Sequence, residues 1–150
     1  MTADVVTSIR IEAPPDAVFR FFVDPDRLMR WMGTEADIDP TPGGRFRVNV
    51  NGDDVAMGAY TVVDPPRRVA FTWGWDGNDG IPPGSSTVTV DLDEVDGGTE
   101  LTLTHSDLPD EQACRQHLQG WTHYLERLAA AGEGRPVGED PMRDPANRAG

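Results

Sequence analysis

The 150-residue chain has no lysine, a single cysteine and no run of eighteen apolar residues. Each absence removes a class of protein. With Cys114 alone there is no internal disulfide framework, and the expected setting is a reducing cytoplasm. Without a long apolar run, no helix is expected to cross a membrane. The opening stretch MTADVVTSIRIEAPP has no basic leader ahead of an apolar block, so no secretion signal is expected. The 13 basic residues, all arginine, face 26 acidic ones, for a formal net charge of -13. Such a surface repels a phosphate backbone, and nucleic acid is not an expected partner.

Catalytic signatures are scarce as well. No Gly-x-Ser-x-Gly, His-Glu-x-x-His, phosphate-binding glycine loop or dinucleotide fingerprint occurs. Cys114 and His117, three residues apart, share a helix face, but zinc needs two further ligands and there is no second cysteine. His123 lies about 120° round the helix from His117. DGNDG, Asp76 to Gly80, lacks the spacing and the terminal glutamate of a calcium loop and reads as a strand connection. The expectation is no metal and no cofactor.

What is present is periodicity. VVTSIRIEA alternates, with Val5, Thr7, Ile9 and Ile11 on one face, which predicts a half-buried strand. PPDAVFRFFVDPDRLMRWM changes to a helical period and is broken at Asp24-Pro25. It predicts two short helices, the second from about Pro25 to Trp31. Alternating strands follow: RFRVNV, VAMGAYTVV, RVAFTWGW, and then TVTVDLDEV and TELTLTHSDL about an Asp96-Gly97-Gly98 hairpin. A last helix is predicted from near Pro109 to Ala131, capped by Ser106 or Asp107, with Trp121, Leu118, Leu125 and Leu128 on one stripe. Residues 133–150 have little apolar content and no period, and a disordered tail is expected. The predicted class is α+β in a helix-grip arrangement. A curved antiparallel sheet of six to seven strands, residues 1–132 in all, wraps a long C-terminal helix, with two short helices after the first strand. Gly120, in mid-helix beside Trp121, is expected to mark a close approach of the helix to its neighbours.

PPDAVFRFFVDPDRLMRWM, GGRFRV, GAYTVVDPPRRVAFTW, TELTLTHSDLPDE and GWTHYLERLAA, taken in order, resemble the START-related SRPBCC superfamily. More narrowly they are similar to its branch named for the activator of the heat-shock-protein-90 ATPase. The resemblance implies a helix-grip fold around a cavity for apolar small molecules. Related proteins include polyketide cyclases or aromatases and ligand carriers, and the branch takes its name from a co-chaperone. It supplies no catalytic residue to carry over.

His105 falls in phase with Leu101 and Leu103, pointing to the concave side of the sheet. It is the one candidate acid, base or ligand contact, and equally a structural histidine satisfied by its neighbours. The aromatic set carries more. Phe22, Trp31, Phe46, Phe71, Trp73, Trp75 and Trp121 converge inside the sheet, joined by Val48, Met32 and Met57. His105 and His117 stand by to orient a ligand. The expected function is non-catalytic binding of an apolar or aromatic small molecule in that cavity, by a monomer or homodimer. A cyclase-type enzyme or a co-chaperone-type interaction module are the alternatives.

Overall fold

The computed structural model describes residues 3–147. Seven strands form one antiparallel sheet in the order β1-β7-β6-β5-β4-β3-β2. They are β1 (Ala3–Ile11), β2 (Glu35–Ile38), β3 (Arg45–Asn49), β4 (Val55–Asp64), β5 (Arg68–Trp73), β6 (Ser86–Val95) and β7 (Gly98–Leu108). Two short helices, α1 (Pro15–Val23) and α2 (Pro25–Leu28), follow β1, and one long helix, α3 (Glu111–Gly132), follows β7. This is the helix-grip arrangement.

Local chemistry explains the boundaries. Prolines at the first helical positions start α1 and α2, and the Asp24 carboxylate caps α2 by accepting from the Asp26 amide. The second helix is shorter than its apolar spacing suggested, ending at Leu28, although Leu28, Trp31 and Met32 are all buried. The hairpin between β6 and β7 turns through Asp96 (φ 51°) and Gly97 (φ 80°), two left-handed residues as a type I′ turn requires. The α3 cap is Asp110, whose carboxylate accepts from Ala113 N at 2.8 Å. Ser106 and Asp107, the residues the sequence suggested, belong to β7 instead.

The sheet curves at β4. Its first half pairs with β3 and its second with β5. A Cβ on Gly58 would lie 1.9 Å from the Thr72 carbonyl oxygen, so only glycine allows the backbones to approach this closely. Alternate residues of the strands fill the concave side. Phe46, Val48, Tyr60, Phe71, Val88, Val90, Leu101 and Leu103 pack there against Trp121, Leu125 and Leu128 of α3. Two buried hydrogen bonds lock the short helices to this core: Trp31 Nε1 donates to the Phe21 carbonyl, and the Tyr60 hydroxyl donates to that of Phe22.

Three expectations need correction. Leu118 is 41% exposed. The buried row of α3 runs in steps of four through Ala113, Trp121, Leu125 and Ala129, and leaves Leu118 to one side. Gly120 marks no close contact, because a Cβ there would meet nothing within 4 Å. Finally, residues 133–147 are not a structureless tail. They fold back over α3 through two 3-10 turns. Asp140 accepts from His123 Nε2 at 2.9 Å and from the Tyr124 hydroxyl at 2.7 Å, while Arg127 donates to the carbonyls of Val137 and Gly138. Residues 148–150 of the expected tail lie outside the described residues.

Candidate ligand-binding cleft

Between α3 and the ends of β3, β4 and β5 lies an open cleft of about 660 Å³. That is within the ordinary range for small-molecule sites. Its inner wall is built of Trp73, Trp75 and Trp121, with Met32, Val50 and Tyr124 beside them. Trp73 closes β5 on the inward phase, and Trp75 continues past the strand end through an isolated bridge to Ala56. The Trp73 ring meets Trp75 edge-on at 5.2 Å and lies tilted against Trp121 at 5.1 Å.

The polar groups behind this wall are committed to one another. An indole N–H can only donate, so Trp121 Nε1, 3.0 Å from His105 Nδ1, leaves the His105 proton on Nε2. Nε2 then donates to Ser86 Oγ at 2.8 Å, and Ser86 donates to the Trp73 carbonyl at 2.8 Å. The same logic reverses the tautomer in His117. Trp75 Nε1 donates to its Nε2 at 3.1 Å, and its Nδ1 donates to the Ala113 carbonyl at 2.7 Å. Burial, reinforced by the neighbouring His117, drives the His105 pKa down to about 3. Burial also lowers that of His117, against the bond to Ala113. Both rings are neutral, with both nitrogens occupied.

One group is left over. Trp73 Nε1 is the single buried side-chain nitrogen or oxygen among the described residues without a hydrogen-bond partner. A buried, unpaired donor costs about 1–3 kcal/mol, and this one belongs to a residue of the cleft wall.

The rim is polar and acidic. The turn between β3 and β4 contributes Asn51 and Asp54, and the loop after Trp75 contributes Asp76, Asn78 and Asp79. The bond from Asp76 N to the Val55 carbonyl, 2.9 Å, holds these turns side by side. Gln116, Gln119 and Gly120 of α3 form the facing lip. No group of three or more histidine, cysteine or acidic side chains is placed to hold a metal among the described residues.

Of the residues expected to line a cavity, Trp73, Trp75, His117 and Trp121 do come together here. Phe22, Trp31, Phe46, Val48 and Phe71 are packed core: Phe46 stacks on Phe71 at 4.2 Å, and Phe22 meets Trp31 edge-on at 5.3 Å. His105 is fully buried behind Trp121 and reaches no open space. Met57 alternates with the buried Ala56 and faces away from the core. Periodicity assigns a residue to the inner face, but not to a filled or an open part of it. The rim went unread because its aspartates and asparagines look like any solvated turn. The only signal was that two such turns adjoin strand ends carrying Val50 and Trp75.

Comparison with known proteins agrees with this architecture. The family described as Activator of Hsp90 ATPase homolog 1-like protein matches residues 12–133. A solution structure of an AHSA1-like protein from Rhizobium etli is 48% identical, covering 94% of this chain and 88% of that one, with a TM-score of 0.75. DynU16, a protein in the dynemicin biosynthetic locus, is 26% identical over 91% of this chain and 50% of its own, with a TM-score of 0.77. An uncharacterized Schizosaccharomyces pombe protein is 25% identical over 126 residues, and the chain spans 35% of that relative's length. No helix among the described residues is long and apolar enough to cross a membrane.

Proposed function

Since the chain belongs to the Activator of Hsp90 ATPase homolog 1-like family, we propose that its cleft between α3 and the sheet binds a flat apolar or aromatic small molecule without transforming it. The observation that carries this reading is the tryptophan wall, in which one indole N–H is left without an acceptor. Flat ligands gain about 0.5–1.5 kcal/mol for each aromatic pair beyond area burial. A ligand oxygen over Trp73 would remove the cost of its unpaired donor. DynU16's place in a biosynthetic locus accords with use of this fold around small molecules.

Binding is preferred over catalysis because the histidines are spent. His105, the obvious acid or base, sits behind the wall with both nitrogens bonded and its pKa far below neutrality. His117 is held in the same way by Trp75 and Ala113. A general acid or base must reach the reacting proton, and neither ring offers a nitrogen to one.

Gly120 supplies the test. It lies on the lip with open space before it, so Gly120→Leu places a side chain in the cleft without disturbing the core. Titration with an anthraquinone probe should quench the intrinsic tryptophan fluorescence of the parent protein. The leucine variant should stay folded and lose the response. Equal quenching in both proteins, or none in the parent, would refute binding in this cleft.

A further inference from the structure

Two independent features of the cleft restrict what it can hold. The first is the charge of its rim. Asp54, Asp76 and Asp79 stand there, and no arginine is among the lining residues. Asp54 is held by the Asn51 amide at 2.8 Å. Asp76 and Asp79 are exposed, and neither carboxylate has a hydrogen bond or ion pair within the described residues. The whole chain, at -13, reinforces the sign of this field. An anionic ligand would therefore meet repulsion at the mouth, with no guanidinium to receive it. A cation would be drawn in and would find indole faces, which attract cations through their ring quadrupoles.

The second feature lies at the other end. Trp73 is only 2% exposed, yet its Nε1–H has no acceptor. All the neighbouring polar groups that could accept are otherwise engaged: His105 Nδ1 by Trp121, and His117 Nε2 by Trp75. A donor in this position is satisfied by an oxygen, and an amine cation cannot provide one.

Resting on the binding function proposed above, we infer that the cleft selects flat aromatic molecules with an oxygen acceptor at the inner end and a cationic amine at the outer end. The oxygen accepts from Trp73 Nε1–H. The aromatic body lies against Trp75 and Trp121. The ammonium reaches the carboxylates of the rim. No metal ion is needed to bridge the rim to the ligand, in keeping with the absence of a metal-holding cluster among the described residues.

The test uses three anthraquinones that share one short side chain, ending in dimethylammonium, hydroxyl or carboxylate. Each is titrated into the full chain by calorimetry at low and at moderate salt. The ammonium probe should bind about three- to tenfold tighter than the hydroxyl probe, the range expected of a few exposed ion pairs. The carboxylate probe should be weakest, and salt should narrow the differences. In the Asp76→Asn/Asp79→Asn variant the ammonium preference should fall while the hydroxyl probe binds as before. Both positions are exposed loop residues, so the fold is not at stake. An anthracene with the ammonium side chain but no carbonyl should bind more weakly than its anthraquinone counterpart. If the hydroxyl or carboxylate probe binds as tightly as the ammonium one, or the preference survives the double variant, charge selection is overturned although cleft binding stands. If anthracene matches anthraquinone, the role given to Trp73 is overturned. If no probe binds at all, the proposed function itself fails.

Discussion

His105 and His117 touch ring to ring at 4.9 Å, yet they carry their protons on opposite nitrogens. The neighbouring indoles dictate this, since each can only donate. Long-range nitrogen–proton correlation spectra should show His105 protonated on Nε2 and His117 on Nδ1, with His105 unchanged down to pH 5. A His105 signal titrating near 6.5 would contradict the buried network. The same burial has a consequence for stability. The folded-state pKa of His105 is depressed to about 3, so the unfolded chain takes up the proton first as pH falls. Stability is then retained above the unfolded value of about 6.5 and lost below it, by about 1.4 kcal/mol per pH unit. Urea midpoints measured from pH 7 to pH 5 should fall accordingly. At Gly120 the sign is also determined. With open space at its Cβ position, Gly120→Ala should stabilise the fold by about 0.5–1 kcal/mol. Its place on the lip gives the glycine its reason: it leaves the cleft mouth wide at the expense of helix stability. A destabilised alanine variant would restore the close-contact reading that the sequence suggested.

Among the elements, the segment after α3 changes most from sequence expectation. Its composition is that of a disordered tail, and composition is blind to three side chains on α3 that hold it. His123 and Tyr124 donate to Asp140, and Arg127 donates to two backbone carbonyls. Burial alone would raise the Asp140 pKa. Bonds from the Met142 amide, Tyr124 and His123 outweigh it and leave the carboxyl below its usual range. Asp140→Ala should therefore cost about 1–3 kcal/mol, since it strands the buried Tyr124 hydroxyl. Calorimetric melting of the variant checks this, and an unchanged midpoint would mean that the segment is not docked. Other elements were legible where period and length were strong, as in β1, β6, β7 and α3. The strand β2 was not. Its four residues, Glu35 to Ile38, alternate only between half-buried and exposed at the sheet edge, where little apolar patterning is required. Leu118 shows the complementary limit. Three-residue spacing from Trp121 put it on the apolar stripe, whereas the sheet is crossed along the four-residue row.

For the molecule as a whole, the inner face of the sheet was legible as a set of residues, but its division into core and cleft was not. Phe46, Phe71 and Trp73 share one phase and one cluster, yet only Trp73 borders open space. That division follows from where β5 ends, where Gly120 omits a side chain, and where two acidic turns meet. The direct test is a titration followed by the four indole N–H signals, with an anthraquinone as ligand. Trp73, Trp75 and Trp121 line the cleft, whereas the Trp31 indole is bonded to the Phe21 carbonyl within the core. Binding in the cleft requires the first three signals to move, Trp73 the most because it gains an acceptor, while Trp31 stays in place. Four unmoved signals, or a shift of Trp31 as large as that of Trp73, would contradict it.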